Sequence, residues 1–347
     1  MPTPIAADAT AALTTAYNVT DARLTRVPAG QVTINYQAQT ADGHKLFVKQ
    51  YTPDADLSDE AAAIAQTQLA ERHGVPVAHV LLTTEGQTIA RTGRGAISVW
   101  EWVAGVTVDS GLNAAQQTET GRTLGAIHRA FAQHPASAET PHRFHAWRSR
   151  DLSKLHVAVD GLLRTINESP RAEWDDFDVQ AAHTLAERQK MLHRMPELRD
   201  ELPDLSCQVL HGDYSAVNLL FDGDQLAAVL DFRPPEPFPI AYELGRIAFD
   251  PRSVALTDNW ITAGRTLVAA YLQENPSITE ADVRFCARVQ LITLVTSLYG
   301  VKQHYQGGGL LQDDLDAFWL LRHKAAQRLL EHLGEAEEAL AHTFAQT

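Results

Sequence analysis

Apolar and polar positions alternate between Leu24 and Tyr51, which predicts successive strands at Leu24–Val27, Val32–Tyr36 and Lys45–Tyr51. Turn residues at Pro28-Ala29-Gly30 and Asp42-Gly43 separate them. Phe47, Lys49 and Tyr51 then share one face of the third strand. Ser58 is placed to cap a helix running through Ala61 to Arg72, ended by Gly74 with Pro76 beyond. Two apolar segments after Val77 lead to Ile97-Ser98-Val99-Trp100-Glu101-Trp102-Val103-Ala104-Gly105.

Farther along, the period becomes helical. Leu124, Ile127, His128 and Phe131 recur at i, i+3, i+4 and i+7 in a helix from Gln117 to Phe131. Gly121 and Gly125 lie one turn apart on it and permit close approach of another backbone. Helical periods dominate again from Trp260, as in Leu267-Ala270-Tyr271 and Leu320-Leu321-Ala325. Between them stands one hairpin pattern: Leu219–Phe221, the turn Asp222-Gly223-Asp224, and Leu226–Leu230. The run Arg233-Pro234-Pro235-Glu236-Pro237-Phe238-Pro239 cannot be a regular helix or central strand and predicts a stiff loop.

The candidate chemistry sits around that hairpin. His211-Gly212-Asp213-Tyr214-Ser215-Ala216-Val217-Asn218 precedes its first strand, and Asp231-Phe232 follows its second. Asn218 therefore starts one strand and Asp231 ends its neighbour, at one end of the hairpin beside the loop carrying Asp213. An Asp, an Asn five residues on and a second Asp across a short hairpin suit magnesium-dependent phosphoryl transfer: one carboxylate for an acceptor hydroxyl, two oxygen ligands for Mg²⁺.

Composition narrows the picture. At 347 residues with 45% hydrophobic content, the chain has the size for two units with large cores. A formal charge of −14 argues against a nucleic-acid partner and favours a cationic substrate only if the acids line the site. The two cysteines, Cys207 and Cys286, are too few for a disulfide framework, stand in apolar contexts that predict buried thiols, and indicate a cytoplasmic protein. The N-terminal Met1-Pro2-Thr3-Pro4-Ile5 lacks a basic region and a long apolar one, and no run of about 18 apolar residues occurs, so neither export nor membrane insertion is expected. Scattered His134, His142, His145 and His156, and His183 and His193, lack the spacing of a helical zinc site. Asp175-Asp176-Phe177-Asp178 is either a helix start or an attractor for a cationic substrate.

The block from His211 to Asp231 resembles the catalytic loop and metal-binding segment of the aminoglycoside phosphotransferase and choline kinase family, relatives of protein kinases. Protein kinases read H-R-D-x-x-x-x-N there, with Lys commonly two places after the Asp. Here Gly212 replaces that Arg and Ser215 stands at the Lys position, changes that point to a small-molecule kinase. The resemblance implies an α+β, two-lobed protein-kinase-like fold: a small antiparallel-sheet lobe with one main helix at residues 1–103 for nucleotide, and a larger, mostly helical lobe at 104–347 for catalysis and acceptor, with the nucleotide between them.

It also implies roles. Asp213 would orient the acceptor hydroxyl and take its proton late, Asn218 and Asp231 would hold Mg²⁺, and Lys49 would meet the phosphates of ATP or GTP. His211 would brace the loop. Glu60 stands where the family places the acid that pairs with the strand lysine, although a carboxylate in a first helical turn is favoured by the helix dipole alone; Glu71 is the fallback. Glu101, Trp102 and Val103 correspond to the connector whose backbone meets the purine edge, with Trp100 and Trp102 equally readable as core. Pro28 to Asn35 would form a reduced nucleotide-covering hairpin. His128 reads as a packed structural histidine. Tyr242-Glu243-Leu244-Gly245-Arg246 departs from the Asp-Leu-Ala-like triplet that family members carry there. The implied reaction is transfer of a γ-phosphate to a hydroxyl of an antibiotic, aminosugar or nucleoside-like compound. The alternatives are a metabolic kinase of homoserine, choline or a sugar, and a catalytically silent nucleotide-binding module. Oligomeric state is not legible.

Overall fold

A computed structural model describes residues 4–28, 33–93, 95–134, 140–307 and 312–347. The turn at Ala29 and Gly30, with the expected start of the second strand at Val32, lies outside the described residues, as does the side chain of His142. Among the described residues no helix is long and apolar enough to cross a membrane.

The chain divides into two compact units. The first comprises Met1–Thr107 and His211–Glu236, the second Val108–Leu210 and Pro237–Thr347. The single boundary expected between residues 103 and 104 gives way to a discontinuous first unit, to which the chain returns for one hairpin. Backbone hydrogen bonds account for the return. Val229 N–H donates to Pro76 O at 2.8 Å, and Val106 and Phe221 exchange reciprocal bonds at 2.9 Å. Unpaired edges of the 219–229 hairpin are thereby satisfied by the N-terminal segment.

In the first unit, strands β1 (Arg23–Val27), β2 (Ile34–Gln39), β3 (Lys45–Tyr51), β4 (Val80–Leu81), β5 (Ala90–Thr92) and β6 (Gly95–Glu101) form one antiparallel sheet. Its order is β1-β2-β3-β6-β4, with β5 also on β6. Alternation puts Leu46 and Val48 of β3 and Ile97 and Val99 of β6 into the core. Their cover is helix α1 (Pro4–Tyr17), which strand patterning did not reveal; it buries Ala9, Ala12 and Leu13 there. Tyr17 anchors it by donating to Ile97 O at 3.3 Å, and burial pushes its phenol up to about 12.

Helix α2 (Leu57–Arg72) is capped by Asp56 and not by Ser58. The Asp56 carboxylate accepts from Ser58 N–H at 2.9 Å, and from the Ser58 hydroxyl at 2.6 Å, which places Ser58 inside the first turn. Gly74 at φ +81° ends the helix, donating to Glu71 O at 2.9 Å.

The second unit is mostly helical. Its central contact joins the helix Ala114–Phe131 to Trp260–Glu274, where a Cβ on Gly121 would collide with Leu267 O and one on Gly125 would stand 2.7 Å from Tyr271 O. His128 is fully buried between them as a structural residue: its Nδ1 lies 2.9 Å from Tyr271 Oη and its Nε2 3.0 Å from Glu243 Oε2. The Glu at 243 thus has a reason. It reaches the buried imidazole, while Gly245 lets its helix, Ile240–Ala248, meet the backbone of Cys286. Asp175 and Asp178 form a capping box at the start of the helix Asp176–Leu192, which explains that acidic cluster. Within the proline-rich run, Pro237–Pro239 departs from the expected loop and pairs with Cys207–Val209 as a two-stranded ribbon, where a missing N–H can face outward. Cys286 is buried as expected, whereas Cys207 is half-buried; burial and the nearby Asp282 carboxylate push its thiol up to about 11.

The close helix pair is open to test. Gly121→Ala should cost roughly 1–3 kcal/mol by urea unfolding, the range for overpacking a tight core. Gly161→Ala, in a helix position with nothing within 4 Å of the new Cβ, should be neutral or stabilising.

Candidate active site

The first unit gathers a cationic and acidic group around the end of its hairpin. Lys49 projects from the middle of β3, paired across the sheet with Asn35 on one side and Ser98 on the other. Its Nζ lies 3.2 Å from Glu60 Oε2 on α2 and 3.5 Å from Asp231 Oδ1 beyond the hairpin. All three are partly exposed, so these pairs add at most about 1 kcal/mol to folding; what they fix is position. The fallback acid, Glu71, is engaged elsewhere, 2.8 Å from His79 Nδ1.

The loop bearing Asp213 is stitched to the hairpin's end. Asp213 N–H donates to His211 Nδ1 at 3.1 Å, so the imidazole hydrogen resides on Nε2, which donates to Leu230 O at 3.1 Å. Arg233 N–H donates to His211 O at 2.9 Å, and Leu230 N–H to Asn218 O at 2.8 Å. Asn218 closes a short 3-10 turn just before the strand, and its side-chain amide donates to Asp213 O at 2.9 Å. That bond commits the Asn218 nitrogen to the loop and leaves its carbonyl oxygen as the group suited to a cation. That oxygen and the Asp231 carboxylate are both hard oxygen groups, the donor chemistry that Mg²⁺ or Ca²⁺ takes. Asp231 is held at φ +60°, a left-handed conformation that Asp tolerates better than most residues.

Arg233 joins this cluster without being singled out by the sequence pattern. Its Nη2 lies 3.1 Å from Asp213 Oδ2, and its side chain crosses the backbone at Gly212, where a Cβ would stand 2.7 Å from Arg233 Cβ. Gly212 also has φ +88°. The signal was reciprocal: a glycine immediately before Asp213, and an arginine two places after Asp231.

The expected connector is only partly available for a purine. Glu101 N–H donates to His79 O at 2.8 Å and Trp102 N–H to Lys45 O at 3.2 Å, so both serve the sheet. Val103 N–H donates to no described residue. The Glu101 side chain meets His44 at 2.9 Å, and both Trp100 and Trp102 are half-buried and not core.

The model of the phosphotransferase enzyme family matches residues 23–284. The chain belongs to that family. Among solved structures, spectinomycin phosphotransferase in complex with ADP and spectinomycin aligns with TM-score 0.63 at 14% identity, covering 94% of this phosphotransferase and 100% of that chain. A microcompartment-associated aminopropanol kinase aligns with TM-score 0.61 at 16% identity over 96% and 98% of the two chains. Amicoumacin kinase in complex with AMP-PNP and Ca²⁺ aligns with TM-score 0.56 at 15% identity over 88% of each. No curated protein sequence matches significantly. The chain is therefore a phosphotransferase with the two-lobed, protein-kinase-like α+β fold.

Gly212→Ala should lower stability by roughly 1–3 kcal/mol, the cost of a left-handed backbone without glycine plus the collision. Removing the Arg233 side chain as well should recover part of that loss in urea unfolding; an equal loss in both backgrounds would mean the crossing contact is not the cause.

Proposed function

We propose that this chain transfers the γ-phosphate of ATP or GTP to a hydroxyl of an antibiotic, aminosugar or nucleoside-like compound. The observation that carries the reading is the continuous set of contacts from Glu60 through Lys49 to Asp231, with Asp213 and Asn218 tied to the same hairpin end. The fold it shares with spectinomycin phosphotransferase and amicoumacin kinase supports an antibiotic acceptor. The likeness to an aminopropanol kinase supports a second reading, a metabolic kinase of a small alcohol such as homoserine, choline or a sugar.

In this mechanism Asp213 accepts a hydrogen bond from the acceptor hydroxyl, aligns its oxygen with the γ-phosphorus and receives the proton as the new O–P bond forms. Arg233 holds Asp213 Oδ2 and fixes the carboxylate's orientation. Lys49, positioned by Glu60, neutralises phosphate charge as a compact cation. Asn218 and Asp231 would hold a divalent cation, Mg²⁺ in the cell, which supplies further charge neutralisation on the phosphate oxygens. Val103 N–H, with carbonyls of the Glu101–Val103 stretch, reads the purine edge. Catalysis is then positioning and electrostatics, where small misalignments cost large factors. Residues 1–103 act mainly on nucleotide, residues 211–236 of the same compact unit carry the catalytic and metal-holding groups, and the rest of 104–347 binds the acceptor. Free thiols at Cys207 and Cys286 suit the reducing cytoplasm.

The test is a mass-spectrometric screen for phosphate gain on aminoglycosides, nucleoside antibiotics, aminosugars, homoserine and choline, with Mg²⁺ and either nucleotide. Asp213→Ala should reduce transfer about 10²–10⁴-fold, the scale of general-base catalysis. Arg233→Ala should lower kcat with little change in nucleotide KM, and Lys49→Ala should affect both. Normal turnover in Asp213→Ala would sink the assignment, and tight nucleotide binding with no transfer from wild type would favour a binding module.

A further inference from the structure

Within the second unit two guanidinium groups are buried together without a carboxylate. Arg188, on the helix 176–192, is fully buried; Nη1 donates to Leu294 O, and the guanidinium lies 4.7 Å from the Trp319 ring centre. Its Nε and Nη2 have no partner among the described residues. Arg322, on the helix Gln312–Glu331, is 8% exposed, donates to Tyr299 O at 3.4 Å and stands 5.8 Å from the Phe318 ring centre. A third guanidinium, Arg252, lies over the same Phe318 ring at 4.7 Å.

Arg322 acts on Arg188, and Arg188 in turn acts on the neighbouring His323. The groups that act on Arg322 are Arg246 and the phenols of Tyr242 and Tyr299. Burial and like charge push Arg188 down to about 9 and Arg322 to about 10, so both remain cationic at neutral pH. An arginine buried elsewhere in the same unit is handled differently: Arg288 lies 2.7 Å from Glu337 and 2.6 Å from Glu201. Removing paired charge from water is costly enough with such partners, and far more so between like charges. A fold that neutralises one buried arginine with two carboxylates, yet places no described carboxylate on this pair, leaves positive charge for something else to balance.

We propose that the Arg188–Arg322 cluster binds an anionic oxygen group, a carboxylate or phosphate, reaching Arg322 past half-buried Tyr242, Tyr299 and Phe318. The planar fork of Arg322 matches either group in two-point contact. Arg188, fully buried, supplies charge and not contact. The inference goes beyond the reaction proposed above, because the anion can belong to the acceptor or be a free regulator.

Thermal unfolding of the full chain tests it, at matched ionic strength, for wild type, Arg322→Met and Arg322→Lys. The probes are succinate and sulfate as free anions, and the pairs glycerol and glycerate, homoserinol and homoserine. Acidic compounds should raise the wild-type midpoint by several degrees over their non-acidic partners, through binding to the native state. Arg322→Met should abolish the shift and Arg322→Lys should keep part of it. A shift confined to glycerate or homoserine assigns the anion to the acceptor; an equal shift from succinate or sulfate assigns a free anion. No acid-specific shift in wild type, or a full shift in Arg322→Met, overturns the proposal. Should Arg322→Met not fold, the wild-type comparison together with Arg322→Lys decides. Phosphate transfer in the same samples reports on the kinase reading separately, since a shift without transfer would leave the anion site standing.

Discussion

The hydrogen bonds that tie residues 211–218 to residues 230–233 are what the rest of the first unit's chemistry depends on. His211 accepts from Asp213 N–H through one ring nitrogen and donates to Leu230 O through the other, so a single neutral tautomer spans loop and strand. Arg233 N–H and Leu230 N–H complete the stitching. Without it, Asp213, Asn218 and Asp231 would ride on separate segments. With it, their spacing follows from backbone geometry, and long side chains need only reach into a frame already set.

Lys49 connects that frame to the sheet. Its strand is central, with a partner on each side, and its ammonium reaches an acid on α2 and one beyond the hairpin. Each pair is weak in folding terms, because partly exposed ions trade protein contacts for water at little profit. Their role is geometric: the lysine is held by two carboxylates from different elements and cannot swing freely.

Much of this was legible in the sequence because it is local. The alternation in Lys45–Tyr51, the spacing from Asp213 to Asn218, and the hairpin turn at Asp222-Gly223-Asp224 each act over a few residues and survive in the structure. So does the small-residue pair Gly121 and Gly125, whose missing side chains are needed by a helix far away in sequence. Illegible features depend on distant partners. Helix α1 is recognisable only through the sheet core it covers, and the Asp213–Arg233 pair only once two loops are adjacent. Asp56 displaced Ser58 as cap because adjacent polar residues compete for the same N–H groups, which pattern alone does not rank. The stretch Glu101–Val103 begins at a strand end, and two of its three N–H groups belong to the sheet, a matter of pairing that no composition encodes.

The discontinuity of the first unit bears on how this chain reaches its native state. Its sheet is encoded before residue 107, but the hairpin that supplies three of its acidic or amide side chains is encoded only after residue 210, and the second unit is completed only by the last helices. During synthesis the early strands must wait for about a hundred intervening residues before Val229 can reach Pro76 and Val106 can meet Phe221. Loop closure over that distance raises the entropic barrier, so the two units cannot mature in strict succession from the N-terminus. Their assembly is interleaved, and a ribosome paused before residue 236 carries a first unit that still lacks its hairpin.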